Sequence, residues 1–377
     1  MKKNLAKRIL YITLTVLLLA NVAVWVTDTT YIYKALLYQQ PNIDDLDVFP
    51  YTTIENKGKK EPWNISSKKN AVKLSDTLRH TLEKYETVAF LVIKKDSIVY
   101  EEYWDNYDQN SFSNSFSMAK SIISILVGIA VDEGKISSVN DPVGKYVPEF
   151  NKGELATVKI VDVLRMASGL SFKESYSSPF NQTTDAYYGS DLRKLIFSLH
   201  VQEKPGTLFN YRSGDTQVLE ILLKAATGKS VTEYASEKLW SKIGAENIAH
   251  WSLDHVGGDE KAYCCFYSNA RDFARIGKLY MQNGRWDSTQ VVSADWVHKS
   301  TTAHGLPENG VNTTQYGYQW WVYNDAFYCR GILGQYIIVD PKNEMIVVRL
   351  GKNRDKEKIN NHPKDFLLYL SESKRLF

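Results

Sequence analysis

Three Ser-x-x-Lys pairs occur in the chain: Ser66/Lys69, Ser117/Lys120 and Ser371/Lys374. The motif alone is weak, because serine and lysine are common residues, and context separates the three. Ser66 lies in a polar stretch and Ser371 near the C-terminus. Ser117 instead opens a run in which Ile122, Ile123, Ile125, Leu126, Val127, Ile129 and Val131 leave no polar side, the pattern of a helix buried at the centre of a domain. Residues i and i+3 share a helix face, so the Lys120 amine can reach the Ser117 hydroxyl. Burial disfavours an ammonium ion and lowers its pKa, which makes a lysine a base. Free N–H groups in the first turn carry partial positive charge that stabilises an oxyanion. The chemistry is nucleophilic attack on a carbonyl. The plain alternative is an N-cap serine followed by a lysine snorkelling to water.

A buried base needs a large core around it. The 377 residues are 44% apolar and 24% charged, which excludes a disordered or fibrous chain. Lys and Arg total 46 against 43 for Asp and Glu, a net charge of +3. That balance argues against a nucleic-acid partner, which calls for a clustered basic surplus. The histidines form no His-Glu-x-x-His and the cysteines no Cys-x-x-Cys, so neither a metal site nor a cofactor is expected. No Gly-x-Ser-x-Gly elbow and no phosphate-binding glycine motif occurs. Cys264, Cys265 and Cys329 read as small buried hydrophobes, since adjacent cysteines rarely bridge.

Residues 9–27 carry no charge and follow Lys2, Lys3, Lys7 and Arg8. At about 1.5 Å per residue they span roughly 28 Å, close to the hydrocarbon thickness of a bilayer. The basic cluster predicts a cytoplasmic tail over residues 1–8, a single-pass anchor over 9–27, and a body outside the cytoplasm, periplasmic or extracellular. A cleaved signal peptide is the alternative, although Ala20-Asn21-Val22-Ala23-Val24-Trp25 makes a poor cleavage site. Either reading exports the protein. Residues 28–73 are polar and aperiodic, with Pro41, Pro50 and Pro62, and read as a stalk that partly packs on the body.

Residues 74–377 form the main domain. A helix is predicted over 74–85 and a hairpin over 88–103, turning at Lys94-Lys95-Asp96-Ser97. Helices follow from Ser117, with Gly134 as a stop, and over 160–166, 216–226 and 231–243. Strands return at 319–322, 336–339 and 345–350, and a helix over 364–373 closes the chain. Strands at both ends around a helical middle predict an α+β fold: one antiparallel sheet flanked by helices, with a mostly helical insertion over about 117–260.

Phe116-Ser117-Met118-Ala119-Lys120 resembles the first motif of the serine β-lactamase and penicillin-binding-protein superfamily, in its class C-like branch. Further segments resemble that family in its order. They are Asn140-Asp141-Pro142-Val143-Gly144, Leu164-Arg165-Met166-Ala167-Ser168-Gly169-Leu170, Pro205-Gly206-Thr207 leading to Tyr211-Arg212-Ser213, Tyr316-Gly317-Tyr318-Gln319-Trp320-Trp321, and Gly331-Ile332-Leu333-Gly334-Gln335. The likeness runs from about residue 74 to 350. Tyr211-Arg212-Ser213 in place of Tyr-x-Asn, and Gly-Ile-Leu-Gly in place of Lys-Thr-Gly, make it most similar to 6-aminohexanoate-dimer hydrolases and related carboxylesterases.

The resemblance implies a β-lactamase-like fold and a hydrolase of small esters or amides acting through an acyl-enzyme. Ser117 is the implied nucleophile, with Lys120 and Tyr211 sharing its proton. The backbone N–H groups of Ser117 and Ile332 would form the oxyanion hole, supported by Gly331 and Gly334, and Ser213 would steady the network. Tyr176 and Asp185, on the loop after Ser-Gly-Leu, are candidates for substrate contact. Tyr267-Ser268-Asn269 is a literal Tyr-x-Asn and a rival for the tyrosine role, though it reads as the start of a helix. Trp320 and Trp321 should face opposite sides of a strand. The chain has no Lys-Ser/Thr-Gly, whose lysine holds a substrate carboxylate in β-lactamases and DD-peptidases; Arg330 is the neighbouring cation. The alternatives are a cell-wall DD-peptidase, penicillin-binding protein or β-lactamase, and a non-catalytic scaffold of the same fold.

Overall fold

The computed structural model describes residues 2–377, so Met1 of the expected 1–8 tail lies outside the described residues. Two helices lead, α1 (Lys2–Val26) and α2 (Tyr31–Tyr38). Residues Lys3–Val26 of α1 are long and apolar enough to cross a membrane, and none of that stretch is buried in the protein. Strands β1 (Tyr51–Ile54) and β2 (Asn64–Ile65) follow, then α3 (Asp76–Lys84), which Ser75 caps through its Oγ. The hairpin β3 (Thr87–Lys94) and β4 (Ser97–Tyr103) and the short β5 (Ser113–Asn114) complete this part.

A helical stretch comes next: α4 (Met118–Asp132), α5 (Ile160–Leu164), α6 (Gln182–Tyr188), α7 (Leu192–Phe197), α8 (Ser213–Thr227) and α9 (Val231–Ala235). Strands β6 (Ala249–Ser252) and β7 (Phe266–Ser268) lead to α10 (Ala270–Met281) and α11 (Ala294–Ser300). The chain ends with β8 (Trp321–Tyr323), β9 (Ala326–Arg330), β10 (Tyr336–Asp340), β11 (Met345–Gly351) and α12 (Lys364–Ser373).

Alternation along the strands explains the layers. The main sheet has the order β8-β9-β10-β11-β3-β4-β2, antiparallel except where β2 meets β4. Both ends of the chain meet at its centre, with Val92 opposite Val347 and Leu91 opposite Val348. Phe90, Val92, Ile338 and Val347 pack with Leu78 and Leu82 of α3 and Phe366 and Tyr369 of α12. Leu91, Ile93, Ile337, Ile346 and Val348 face the other way, into the larger core with α10 and the helical region. A Cβ on Gly277 would stand 2.9 Å from Ile346 Cγ2, so a glycine there lets α10 lie close on the sheet. This is the expected α+β, β-lactamase-like architecture, with α4 buried from Met118 to Ala130 at the junction of sheet and helices.

The structure extends the sequence reading in one place and departs from it in two. Residues 28–73, expected as a stalk that partly packs on the body, are held to it by strand pairing: β1 pairs with β6 and β2 with β4, while Ile43, Phe49, Ile54 and Trp63 are buried. Each of these apolar residues fills a separate site on the body, which leaves no periodicity to read. A second sheet, β1-β6-β7-β5, was not foreseen because its strands have only two to four residues. Cys264 and Cys265 are not two free hydrophobes but a disulfide, while Cys329 is free and buried. A turn with Cys265 at φ 63°, its N–H held by Asn114 Oδ1 at 3.1 Å, brings the two sulfurs together.

Candidate active site

Ser117 is the N-cap of α4, and the residue before it, Phe116, is buried with φ at 44°. A bulky residue in the left-handed region costs roughly 1–3 kcal/mol and persists where its surroundings over-determine it. Here Asn114 Oδ1 accepts the Phe116 N–H at 2.9 Å as well as that of Cys265, and Asn114 Nδ2 donates to the Tyr267 hydroxyl at 3.1 Å. One asparagine thus joins the turn before the nucleophile candidate to the turn carrying the disulfide.

Lys120, one helical turn on, is 1% exposed. Its Nζ lies 3.2 Å from Ser117 Oγ, 3.1 Å from Ser213 Oγ and 2.8 Å from the Tyr263 carbonyl oxygen. Burial pushes the amine down to about 8, with the Glu174 carboxylate opposing the shift. Ser213 at the start of α8 donates its Oγ–H to Glu174 Oε1 at 2.9 Å and its backbone N–H to Oε2 at 2.7 Å. Ser213 Oγ can therefore serve Lys120 only as an acceptor. A neutral amine has two N–H bonds and one lone pair. With the hydrogens directed at Ser213 and the Tyr263 carbonyl, the lone pair is left for the Ser117 hydroxyl.

Tyr211 lies beside Lys120, its ring centroid 5.3 Å from Lys120 Nζ and 5.7 Å from the ring of Trp321, on which it stacks at 28°. Burial pushes its phenol up, while the Ser117 hydroxyl and the charges of Arg330 and Arg354 pull the other way. Arg330 does not point away from the site, since its guanidinium lies 3.6 Å over Trp321. Trp320, on the opposite side of the chain, stacks in the core on Tyr280 at 4.1 Å. The predicted strand at Gln319 starts two residues later, because Gln319 takes φ 63°. Its carbonyl accepts from Ser121 Oγ and its amide binds Thr216 Oγ1 and the carbonyls of Val163 and Leu164. That knot ties α4, α5 and α8 to the edge of the sheet, and with it the elements bearing Lys120 and Ser213.

The segment after β9 faces Ser117 from the sheet. A Cβ on Gly331 would stand 2.6 Å from the Ser115 carbonyl, and Gly334 has φ 82°. The buried Arg349 holds this loop from below, donating to the carbonyls of Leu333, at 3.0 Å, and Gly334, at 2.9 Å. Among the described residues the backbone N–H groups of Ser117 and Ile332 have no hydrogen-bond partner. Unpaired N–H groups beside a nucleophile are what a developing oxyanion requires.

Glu174, which sequence reasoning missed, lies in an irregular loop without a motif. Its neighbour Tyr176 donates its hydroxyl to Glu174 Oε1, and burial followed by the Glu174 charge pushes that hydroxyl well up. Tyr176 as a residue is 62% exposed, so it links the surface to Glu174 through its hydroxyl. Asp185, on α6, is not hydrogen-bonded to the Ser117 cluster. Burial raises its carboxyl to about 6, with the Lys261 charge opposing and Asp28 reinforcing the rise. The rival Tyr267 is buried in β7, its hydroxyl bound by Asn114, and Asn269 caps α10 by accepting the Asp272 N–H. Lys69 of the first Ser-x-x-Lys pair is engaged by Glu101.

Sheet, central helix and clustered Ser, Lys and Tyr define a β-lactamase-fold protein. The Beta-lactamase family model matches residues 74–367, and the chain belongs to that family. The 6-aminohexanoate-dimer hydrolase of Paenarthrobacter ureafaciens is 28% identical over 305 residues, covering 74% of this chain and 76% of its own. A Bacillus anthracis structure provisionally assigned as a 6-aminohexanoate-dimer hydrolase superposes with a TM-score of 0.75 at 22% identity, covering 87% of this chain and 90% of that one. A family VIII carboxylesterase reaches 0.65 at 18% identity, covering 84% and 99%. These structural likenesses show the shared fold.

Proposed function

We propose that this protein is an exported serine hydrolase, tethered by α1, that cleaves small ester or amide bonds through an acyl-enzyme on Ser117. The observation that carries the reading is the Lys120 amine, enclosed among Ser117 Oγ, Ser213 Oγ and the Tyr263 carbonyl. Neutral Lys120 takes the Ser117 proton as Oγ bonds to the substrate carbonyl carbon. The oxyanion sits between the N–H groups of Ser117 and Ile332. The C–O or C–N bond then breaks, and Tyr211 hands a proton to the leaving group and takes one back from Lys120. Water attacks the acyl carbon in the second half, its proton passing to the same pair, and Ser117 Oγ leaves with a proton. Glu174 orients Ser213 and raises the Lys120 pKa, and Tyr176 contributes the cleft wall. Asp185 is the second candidate for substrate contact, at the far side of the same loop and helix.

A panel of p-nitrophenyl esters, peptide amides and nitrocefin, run on wild type and Ser117→Ala, tests this. Ester or amide turnover should fall on the order of 10³-fold or more in the variant, and a fluorophosphonate probe should label Ser117. Retained activity in Ser117→Ala would overturn the assignment. Absence of labelling in folded wild type would leave a scaffold of the same fold. Rapid nitrocefin hydrolysis, or labelling by fluorescent penicillin, would move the protein to the β-lactam-reactive alternatives.

A further inference from the structure

Chain length sets where α2 can be. Residues 27–30 separate it from α1, and four residues reach at most about 14 Å. If α1 crosses a bilayer, α2 begins in the adjoining headgroup region. α2 is also fixed to the body. Tyr31, Ile32 and Ala35 are buried, and Tyr38 stacks on Tyr188 of α6 with centroids 6.2 Å apart. Asp28 forms an ion pair with Lys194 of α7, and the Tyr33 hydroxyl donates to Asn21 Oδ1 at 2.7 Å. The opposite face of α2 is apolar and bare: Leu36 is 65% and Leu37 73% exposed, with Tyr33 and Tyr38 beside them.

The same α6 follows the loop that carries Glu174 and Tyr176. Asn181 caps it, and the residue before the cap, Phe180, is 69% exposed. Four residues earlier Tyr176 is an exposed residue whose hydroxyl nevertheless reaches Glu174, which holds Ser213. Asp185, one turn into α6, feels the charge of Asp28 at the end of α1. Exposed apolar residues therefore flank α6 on both sides, from the α1 exit to the loop that reaches the Ser117 site through Glu174 and Ser213. A short helix with one apolar face and aromatic residues at its ends is suited to the boundary between headgroups and acyl chains.

We infer that the bare face of α2 and the Tyr176–Phe180 edge form one surface that lies on the bilayer, so that the cleft takes amphiphilic esters or amides directly from the membrane. This rests on the anchor in the proposed function and goes beyond it by fixing the side of the body turned to the lipid. Attachment by α1 alone would leave the cleft free to face the solvent.

The full chain in phosphatidylethanolamine–phosphatidylglycerol vesicles provides the test. Single photocrosslinkers, Leu37→p-benzoylphenylalanine and Phe180→p-benzoylphenylalanine, should both yield phospholipid adducts. Val72→p-benzoylphenylalanine, at an exposed position just before α3, should yield none. In the same vesicles Leu37→Asp should lower hydrolysis of a long-chain p-nitrophenyl ester several-fold while leaving p-nitrophenyl acetate unchanged. Vesicle flotation with no adduct at residue 180, or equal adducts at all three positions, overturns the inference while the anchor stands. Failure to float with the vesicles removes the anchor and the inference together, without touching the assignment of Ser117.

Discussion

Among the described residues two lysines are buried, and they are chemically unequal. Lys120 reaches two serine hydroxyls and a carbonyl, and burial lowers it to about 8. Lys261, also without exposed surface, donates to the carbonyls of Ala186, at 3.0 Å, and Gly189, at 3.3 Å, beside the ring of Phe49. Burial lowers it as well, to about 7, with the Asp254 charge opposing. A lysine perturbed just as strongly as Lys120 thus has no hydroxyl to deprotonate. A depressed pKa makes an amine available as a base; a positioned proton donor makes it useful. Lys120 has Ser117 at its lone pair and unpaired N–H groups nearby, whereas Lys261 tethers α6 to the segment that ends in Tyr263.

The widest separation between the two should come from removing each charge in turn. Lys120→Met is expected to lower kcat/KM for a p-nitrophenyl ester by about 10²–10⁴-fold, and Lys261→Met to leave it within a few-fold. Equal losses would mean that both lysines act only through packing, and the comparison would fail. A smaller effect sharpens it. In the proposed mechanism the neutral amine is the base, so kcat/KM should rise with pH through an apparent pKa near 8. The Glu174 carboxylate favours the ammonium form, so Glu174→Gln should let the pKa fall and move this limb to lower pH. A limb that stays in place or moves up in the pH–rate profile would remove Glu174 from the electrostatics of the site.

What could be read in advance divides along the same line. The Ser117–Lys120 contact follows from helical spacing inside an apolar run, both local properties, and the central hairpins follow from apolar, β-prone runs broken by polar turns. The helix start at Tyr267-Ser268-Asn269 and the closing helix over Lys364–Ser373 are equally local. Glu174 had no such signal, because its carboxylate gains meaning only when α8 brings Ser213 against it. The partner that orients Lys120, the Tyr263 carbonyl, is a backbone atom that any residue type would supply. Gln319 was legible only as part of a strand, and its left-handed backbone appears only when its amide binds α5 and α8. The bridge between Cys264 and Cys265 depends on the turn at Cys265, not on their spacing. Lys261 itself gave no warning, since a single lysine between polar and aromatic residues looks like a surface side chain.

That last residue allows the comparison to be tested by stability instead of rate. Folded Lys261 has its pKa depressed to about 7, against about 10.4 when unfolded. Between those values the unfolded chain binds the additional proton, so this residue makes stability increase with pH; below about 7 the destabilisation is full and constant. The slope is at most about 1.4 kcal/mol per pH unit. Lys261→Met removes it, though the carbonyls of Ala186 and Gly189 lose a donor at a cost that does not vary with pH. The Tm of the variant relative to wild type should therefore be most favourable below pH 7 and decline steadily toward pH 9. Lys120→Met should show the same trend beginning near pH 8, because burial is common to both sites. A pH-independent Tm difference for Lys261→Met would mean that this lysine keeps its proton in the folded state, and the likeness on which the comparison stands would be lost.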